Sequence, residues 1–150
     1  DGCVIEFLGD GILAVFGAPH TIPEHAEMAV RCAMQMRSAL DELNRQWDEE
    51  GIADRWHDLG IPRIECRIGL HTGPVVAGNL GSHTRMKYAV IGDTVNVASR
   101  LEALNKEFGT SILLSEEVKS RLPNDLRDLA RKVGVTVVKG RQQTLVSYSL

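Results

Sequence analysis

An Asp-Gly pair stands between two apolar runs, Val4-Ile5-Glu6-Phe7-Leu8 and Ile12-Leu13-Ala14-Val15-Phe16, with Gly9 just before it. Such a pair between strand-like runs predicts a tight β-hairpin, because the turn needs positive φ at its centre. The hairpin lifts Asp10 to the tip of a buried ribbon. Glu6 lies four residues earlier, so a strand period of two places it on the face that Asp10 occupies. A carboxylate inside a run as apolar as residues 4–8 either faces water or is placed for recognition.

The rest of the chain must complete a fold around that ribbon. At 150 residues it is one domain's worth of protein, with enough chain to bury about two thirds of its surface. A net charge of −3 argues against general nucleic-acid binding, which wants a basic surface. No apolar run approaches the roughly 20 residues of a membrane span. Cys3, Cys32 and Cys66 are odd in number and widely spaced, which suggests reduced thiols in a cytoplasmic setting. The chain opens almost directly on strand-like sequence without an initiator Met, and the expectation is a domain whose upstream part has been removed.

Downstream, Pro23 and Glu24 open a helix reaching about Trp47, with apolar residues from Ala26 to Leu43 at helical spacing. Residues 48–62 read as a connection. Arg63 to His71 alternates as a strand. Two further strands, 75–81 and 86–91, flank a polar tip. Gly92-Asp93-Thr94 carries an N-cap signature for a helix ending at Gly109. Ser111 to Leu114 is a short strand, Ser115 caps a short helix, and Ala130 to Lys139 pairs with Thr144 to Ser149 as a hairpin.

Candidate chemistry collects at a few positions. Asn96 and Arg100 are four apart on one helix and share a face near its N-terminus, an end that favours anions. Arg suits phosphate oxygens, and Asn suits a ribose. Lys139 follows the β-branched run Val135-Thr136-Val137-Val138, where a lysine can reach a phosphate as a point charge. The segment His20-Thr21-Ile22-Pro23-Glu24-His25 lacks zinc-ligand spacing, and no Gly-x-Ser-x-Gly, Walker A or dinucleotide glycine pattern occurs.

Taken in order, Glu6-Phe7-Leu8-Gly9-Asp10-Gly11, Arg67-Ile68-Gly69-Leu70-His71-Thr72-Gly73, Gly92-Asp93-Thr94-Val95-Asn96-Val97-Ala98-Ser99-Arg100-Leu101 and Val138-Lys139-Gly140 resemble the class III nucleotide cyclase catalytic domain, across nearly the whole chain. The resemblance implies an α/β (α+β), ferredoxin-like fold with a mixed, largely antiparallel sheet and packed helices. It also implies that residues 1–150 form one catalytic domain whose first strand and helices are absent. The implied reaction converts a nucleoside triphosphate to its 3′,5′-cyclic monophosphate and pyrophosphate, with two Mg²⁺ or Mn²⁺ ions. By resemblance, Asp10 is one of two metal aspartates, Asn96 positions the ribose, Arg100 stabilises α-phosphate charge, and Lys139 contacts the terminal phosphates. The family builds each site between two catalytic domains, which implies a homodimer or a heterodimer. Its second metal aspartate lies on an upstream strand, so these 150 residues alone are expected not to complete the two-metal site.

The base-selecting positions of the family correspond to Glu6 and Ala89. Adenylyl cyclases typically carry Lys at the first, with Asp or Thr at the second. Guanylyl cyclases carry Glu at the first and a small residue at the second. A carboxylate accepts from guanine N1 and N2 but meets a lone pair on adenine N1. The expectation is therefore a guanylate cyclase acting on GTP, with an adenylate cyclase as the alternative. A catalytically incomplete regulatory domain is a rival reading. A diguanylate-cyclase-like domain is a weaker one, because Leu8-Gly9-Asp10-Gly11-Ile12 stands where that family has its Gly-Gly-Asp/Glu-Glu-Phe turn.

Overall fold

A computed structural model describes residues 2–82, 84–137 and 144–150. The chain runs β1 (Cys3–Leu8), β2 (Gly11–Val15), α1 (His25–Glu49), α2 (Asp54–His57), β3 (Ile68–Leu70), β4 (Val76–Ser82), β5 (Arg85–Ile91), α3 (Asp93–Phe108), β6 (Ile112–Ser115), α4 (Glu116–Lys119), α5 (Asn124–Leu129), β7 (Arg131–Val137) and β8 (Thr144–Ser149). The sheets are mixed and largely antiparallel, with helices packed on them. A four-stranded sheet has the order β3-β6-β8-β7, and β3 lies parallel to β6. The pairs β1-β2 and β4-β5 are separate antiparallel ribbons. The expected single sheet is therefore divided in three.

The core sits on both faces of β6, whose Ile112, Leu113 and Leu114 are fully buried. On one side Leu114 meets Ala26 and Val30 of α1, Val118 of α4, Leu122, and Leu126 of α5. On the other, Leu113 meets Val97, Leu101 and Leu104 of α3. Alternation along one strand thus seats α1 and α3 on opposite faces. Only the first half of the apolar stripe on α1 is covered, because Met36 and Leu43 remain exposed.

Side-chain amides decide where two backbone segments go. Asn44, buried on α1, donates to the Ile64 carbonyl at 2.9 Å and accepts from the Ile64 amide at 2.9 Å. Both backbone groups of Ile64 are spent there, so the strand predicted over residues 63–71 contracts to Ile68–Leu70. Asn105, buried on α3, donates to the Ile68 carbonyl at 3.0 Å and accepts from Thr110 Oγ1 at 2.8 Å. Replacing Asn105 by Ala leaves these part-buried partners without their bonds and is expected to cost about 1 kcal/mol. A lowered urea midpoint at constant m would show it.

Two short helices were not legible as such. The connection after α1 contains α2, held by an edge-to-face contact of Trp47 and Trp56 with centroids 5.6 Å apart. After Pro123, α5 forms where only the end of the preceding helix was expected. Two caps also differ from expectation. Gly92 occupies the N-cap of α3 without a side-chain cap, and Thr94 Oγ1 instead donates to the Pro74 carbonyl at 2.8 Å. Ser115 precedes α4 without capping it, and its Oγ lies 2.8 Å from His71 Nδ1. Gly109 closes α3 in the left-handed conformation, as expected.

Candidate functional site

The tight turn of the first hairpin falls one residue earlier than the Asp-Gly pair suggested. Leu8 pairs with Gly11, so Gly9 and Asp10 are the two turn residues. Gly9 has φ +68°, and among the described residues no non-glycine residue has positive φ. The left-handed position is therefore the glycine before Asp10, the sign pattern of a type II′ hairpin turn. Asp10 stands exposed at the tip. It lies outside the strand, in the two-residue turn that follows Leu8. The same-face relation expected for Glu6 and Asp10 therefore does not carry to the turn. The ribbon is also not buried: Val4, Phe7, Leu8 and Ile12 are all more than half exposed.

Glu6 is not a free carboxylate. Its Oε1 accepts from Lys87 Nζ of β5, a contact across 81 residues of sequence. Lys87 and Ala89 alternate onto one face of β5. The fold thus gathers Glu6, Lys87 and Ala89 where the sequence had named only the first and last. Lys87 was missed because its partner lies on another ribbon. The alternation placing it beside Ala89 was the available signal.

On α3, Asn96 and Arg100 are both exposed and one turn apart. Asn96 lines an open groove of about 430 Å³ together with Val90, Ile91, Gly92, Asp93 and Val95. Among the described residues nothing bonds to Arg100, so its guanidinium is available to an incoming anion. No hydrogen bond or ion pair joins Asp10 to Asn96 or Arg100 among these residues. Lys139 lies outside the described residues.

The Arg67–Gly73 segment holds α3 in place. Arg67 pairs with Glu102 at 2.9 Å. Gly69 lies against the helix backbone, where a Cβ would stand 2.2 Å from the Ala98 carbonyl oxygen. His71 is bonded to Ser115 and lies 3.6 Å from Glu117. Partial burial opposes ionisation of Glu117, but hydrogen bonds from Ser115 and its own backbone, with His71 nearby, hold its carboxyl below the usual range.

The described residues do not make a metal centre by themselves. Asp10 is a hard oxygen donor of the kind Mg²⁺ and Mn²⁺ prefer. Among the described residues, however, no three His, Cys, Asp or Glu side chains converge. One exposed carboxylate is one ligand, too few for a two-ion site.

A mixed four-stranded sheet, two separate antiparallel ribbons and helices packed on them point to a nucleotide cyclase catalytic domain, the class that the motifs implied. The chain matches the model of the Adenylate and Guanylate cyclase catalytic domain over residues 2–150 and belongs to that family. It is 39% identical over 150 residues to Adenylate cyclase 1 of Rhizobium meliloti (strain 1021), covering all of this chain and 21% of that protein. It therefore spans about a fifth of that curated relative. In structure it resembles the guanylyl cyclase Cya2, with TM-score 0.77 and 34% identity over 99% of this chain and 68% of that one. It also resembles the adenylyl cyclase CyaB from P. aeruginosa, with TM-score 0.75 and 34% identity over 99% of this chain and 70% of that one.

Proposed function

We propose that residues 1–150 are the greater part of a catalytic domain that converts GTP to 3′,5′-cyclic GMP and pyrophosphate. The observation that carries the cyclase part of this reading is the exposed Arg100, without a bonded partner among the described residues, one turn beyond Asn96 on α3. In the reaction, the ribose 3′-oxygen forms a bond to the α-phosphorus. The bond from that phosphorus to the bridging oxygen breaks, pyrophosphate leaves, and the 3′-hydroxyl proton is lost to solvent. Asn96 orients the ribose. Arg100 meets the negative charge that builds on the α-phosphate oxygens, a role suited to a planar, permanently charged fork. Lys139 reaches the terminal phosphates.

Two Mg²⁺ or Mn²⁺ ions, with Asp10 as one ligand, would neutralise phosphate charge when bound. Asp10 and the Asn96–Arg100 face belong to different subunits of a homodimer, so each site needs two copies of the chain. A nucleoside triphosphate substrate supports a cytoplasmic setting as part of this reading. No described helix is long and apolar enough to cross a membrane.

Glu6 is read as the guanine acceptor and Ala89 as the small residue beside it. ATP is the second reading, favoured by the contact of Lys87 with Glu6 and by the relative named as an adenylate cyclase. The test is turnover of the full-length protein with Mn²⁺ or Mg²⁺, comparing GTP with ATP and separating the cyclic products by chromatography. GTP is expected to have the higher kcat/KM. Glu6→Lys should lower kcat/KM for GTP by about tenfold or more, because it removes the charged acceptor for guanine N1 and N2. An unchanged GTP/ATP ratio in that variant would overturn the base assignment. No cyclic product from either nucleotide would favour the rival regulatory domain.

A further inference from the structure

We infer that Thr94 is a positioning residue for the reaction: it ties the first turn of α3 to the backbone at the root of β4, and through that turn sets Asn96 and Arg100. The inference rests on the cyclase reading and deepens it. Thr94 Oγ1 donates to the Pro74 carbonyl at 2.8 Å, two residues before β4 begins. The open groove beside Asn96 is lined by Asp93 and Val95, while the hydroxyl between them is turned to Pro74. Thr94 therefore acts through its neighbours and not on the substrate.

The bond closes one end of a seam. Residues 68–74 run past α3 in the opposite direction. At the far end of the helix, Asn105 donates to the Ile68 carbonyl at 3.0 Å. Between the ends, Gly69 lies against the backbone of Ala98 and Glu102. At the near end, a Cβ on Gly73 would stand 2.7 Å from Thr94 Oγ1, and one on Gly92 would stand 3.1 Å from the Pro74 carbonyl oxygen. The threonine hydroxyl is thus bonded to Pro74 and packed over Gly73.

Helical period puts this seam and the reactive face on opposite sides of α3. Thr94, Val97, Leu101 and Asn105 follow at steps of three and four, so they share one face. Asn96 and Arg100 lie on the other and are exposed. Val97 is the first buried residue of the helix, so the turn before it takes little hold from the core. Gly92 at the N-cap supplies no side-chain bond either. Solvent reaches the Thr94–Pro74 bond, and water can replace it at little cost to stability. Its loss frees the turn to shift, and a displacement of about 1 Å at a substrate-positioning group is enough to cost much of the rate.

The experiment compares the full-length protein with three variants at a temperature where all are folded. Thr94→Val keeps the shape and loses the hydroxyl, Thr94→Ser keeps the hydroxyl, and Asn105→Ala unties the opposite end of the seam. For each, kcat and KM for the nucleotide are measured with Tm, and hydrogen exchange is followed at the amides of residues 95–98. Thr94→Val should lower kcat by about tenfold or more with a smaller change in KM. It should speed first-turn exchange and move Tm by no more than about 2 °C. Thr94→Ser should hold kcat and exchange near their wild-type values. Asn105→Ala should lower Tm and leave kcat near wild type. Wild-type kcat in Thr94→Val, or an equal loss of kcat in Thr94→Ser or Asn105→Ala, would overturn the role of Thr94. If the wild-type protein makes no cyclic product, the cyclase reading fails, and first-turn exchange in Thr94→Val still decides whether Thr94 holds the start of the helix.

Discussion

Arg100→Ala is expected to lower kcat by about 10²–10³-fold with a smaller change in KM, because the guanidinium acts on charge that develops as the new bond forms. Asp10→Ala should be comparably damaging through loss of a metal ligand. The informative result comes from mixing the two. If each site takes Asp10 from one subunit and Arg100 from its twin, a mixed dimer holds one site with both residues intact and one with neither. Random assortment makes half the dimers mixed, so the mixture should recover about a quarter of wild-type activity. Two inactive proteins would then yield an active one. No recovery from a mixture shown to contain mixed dimers would exclude the shared site. Near-wild-type turnover by Arg100→Ala would exclude the residue from the chemistry.

Gly69→Ala is expected to be strongly destabilising although it adds a single methyl. Gly69 is the centre of β3, and its Cα faces the backbone of α3. An added Cβ would lie 2.2 Å from the Ala98 carbonyl oxygen and 2.3 Å from the Glu102 amide nitrogen. Those atoms belong to helix backbone and cannot rotate aside, so strand and helix must separate. A cost of about 3 kcal/mol or more follows, at the upper end for overpacking. In a domain of this size that lowers Tm by roughly 10 °C. Gly78→Ala is the control, since its Cβ would enter open space, and it should shift Tm little. A separation of β3 from α3 would also displace Asn96 and Arg100, so activity should fall in Gly69→Ala before the protein unfolds. An unchanged Tm in that variant would contradict the close contact.

Both expectations join features that lie far apart in the chain, and that distance separates what was readable from what was not. The α3 helix was readable: the start signal at Gly92-Asp93-Thr94, the four-residue step from Asn96 to Arg100 and the stop at Gly109 are local, and the helix stands where they placed it. The hairpins were readable for the same reason, since alternation and turn glycines act over a few residues. Errors arose where a side chain from elsewhere claimed a backbone group. Asn44 took both polar groups of Ile64 and shortened a strand whose alternation was sound. Thr94 bonded the Pro74 carbonyl and left the N-cap of α3 to Gly92.

The amino-acid order alone determined the family motifs, the carboxylate at the ribbon tip and the cationic helix face, because local hydrogen bonding and side-chain period fix such elements. Only the tertiary structure brought Lys87 to Glu6 and set Gly69 against the α3 backbone. Those meetings depend on how separate ribbons and helices come together, and no pattern within a few residues of each position encodes them.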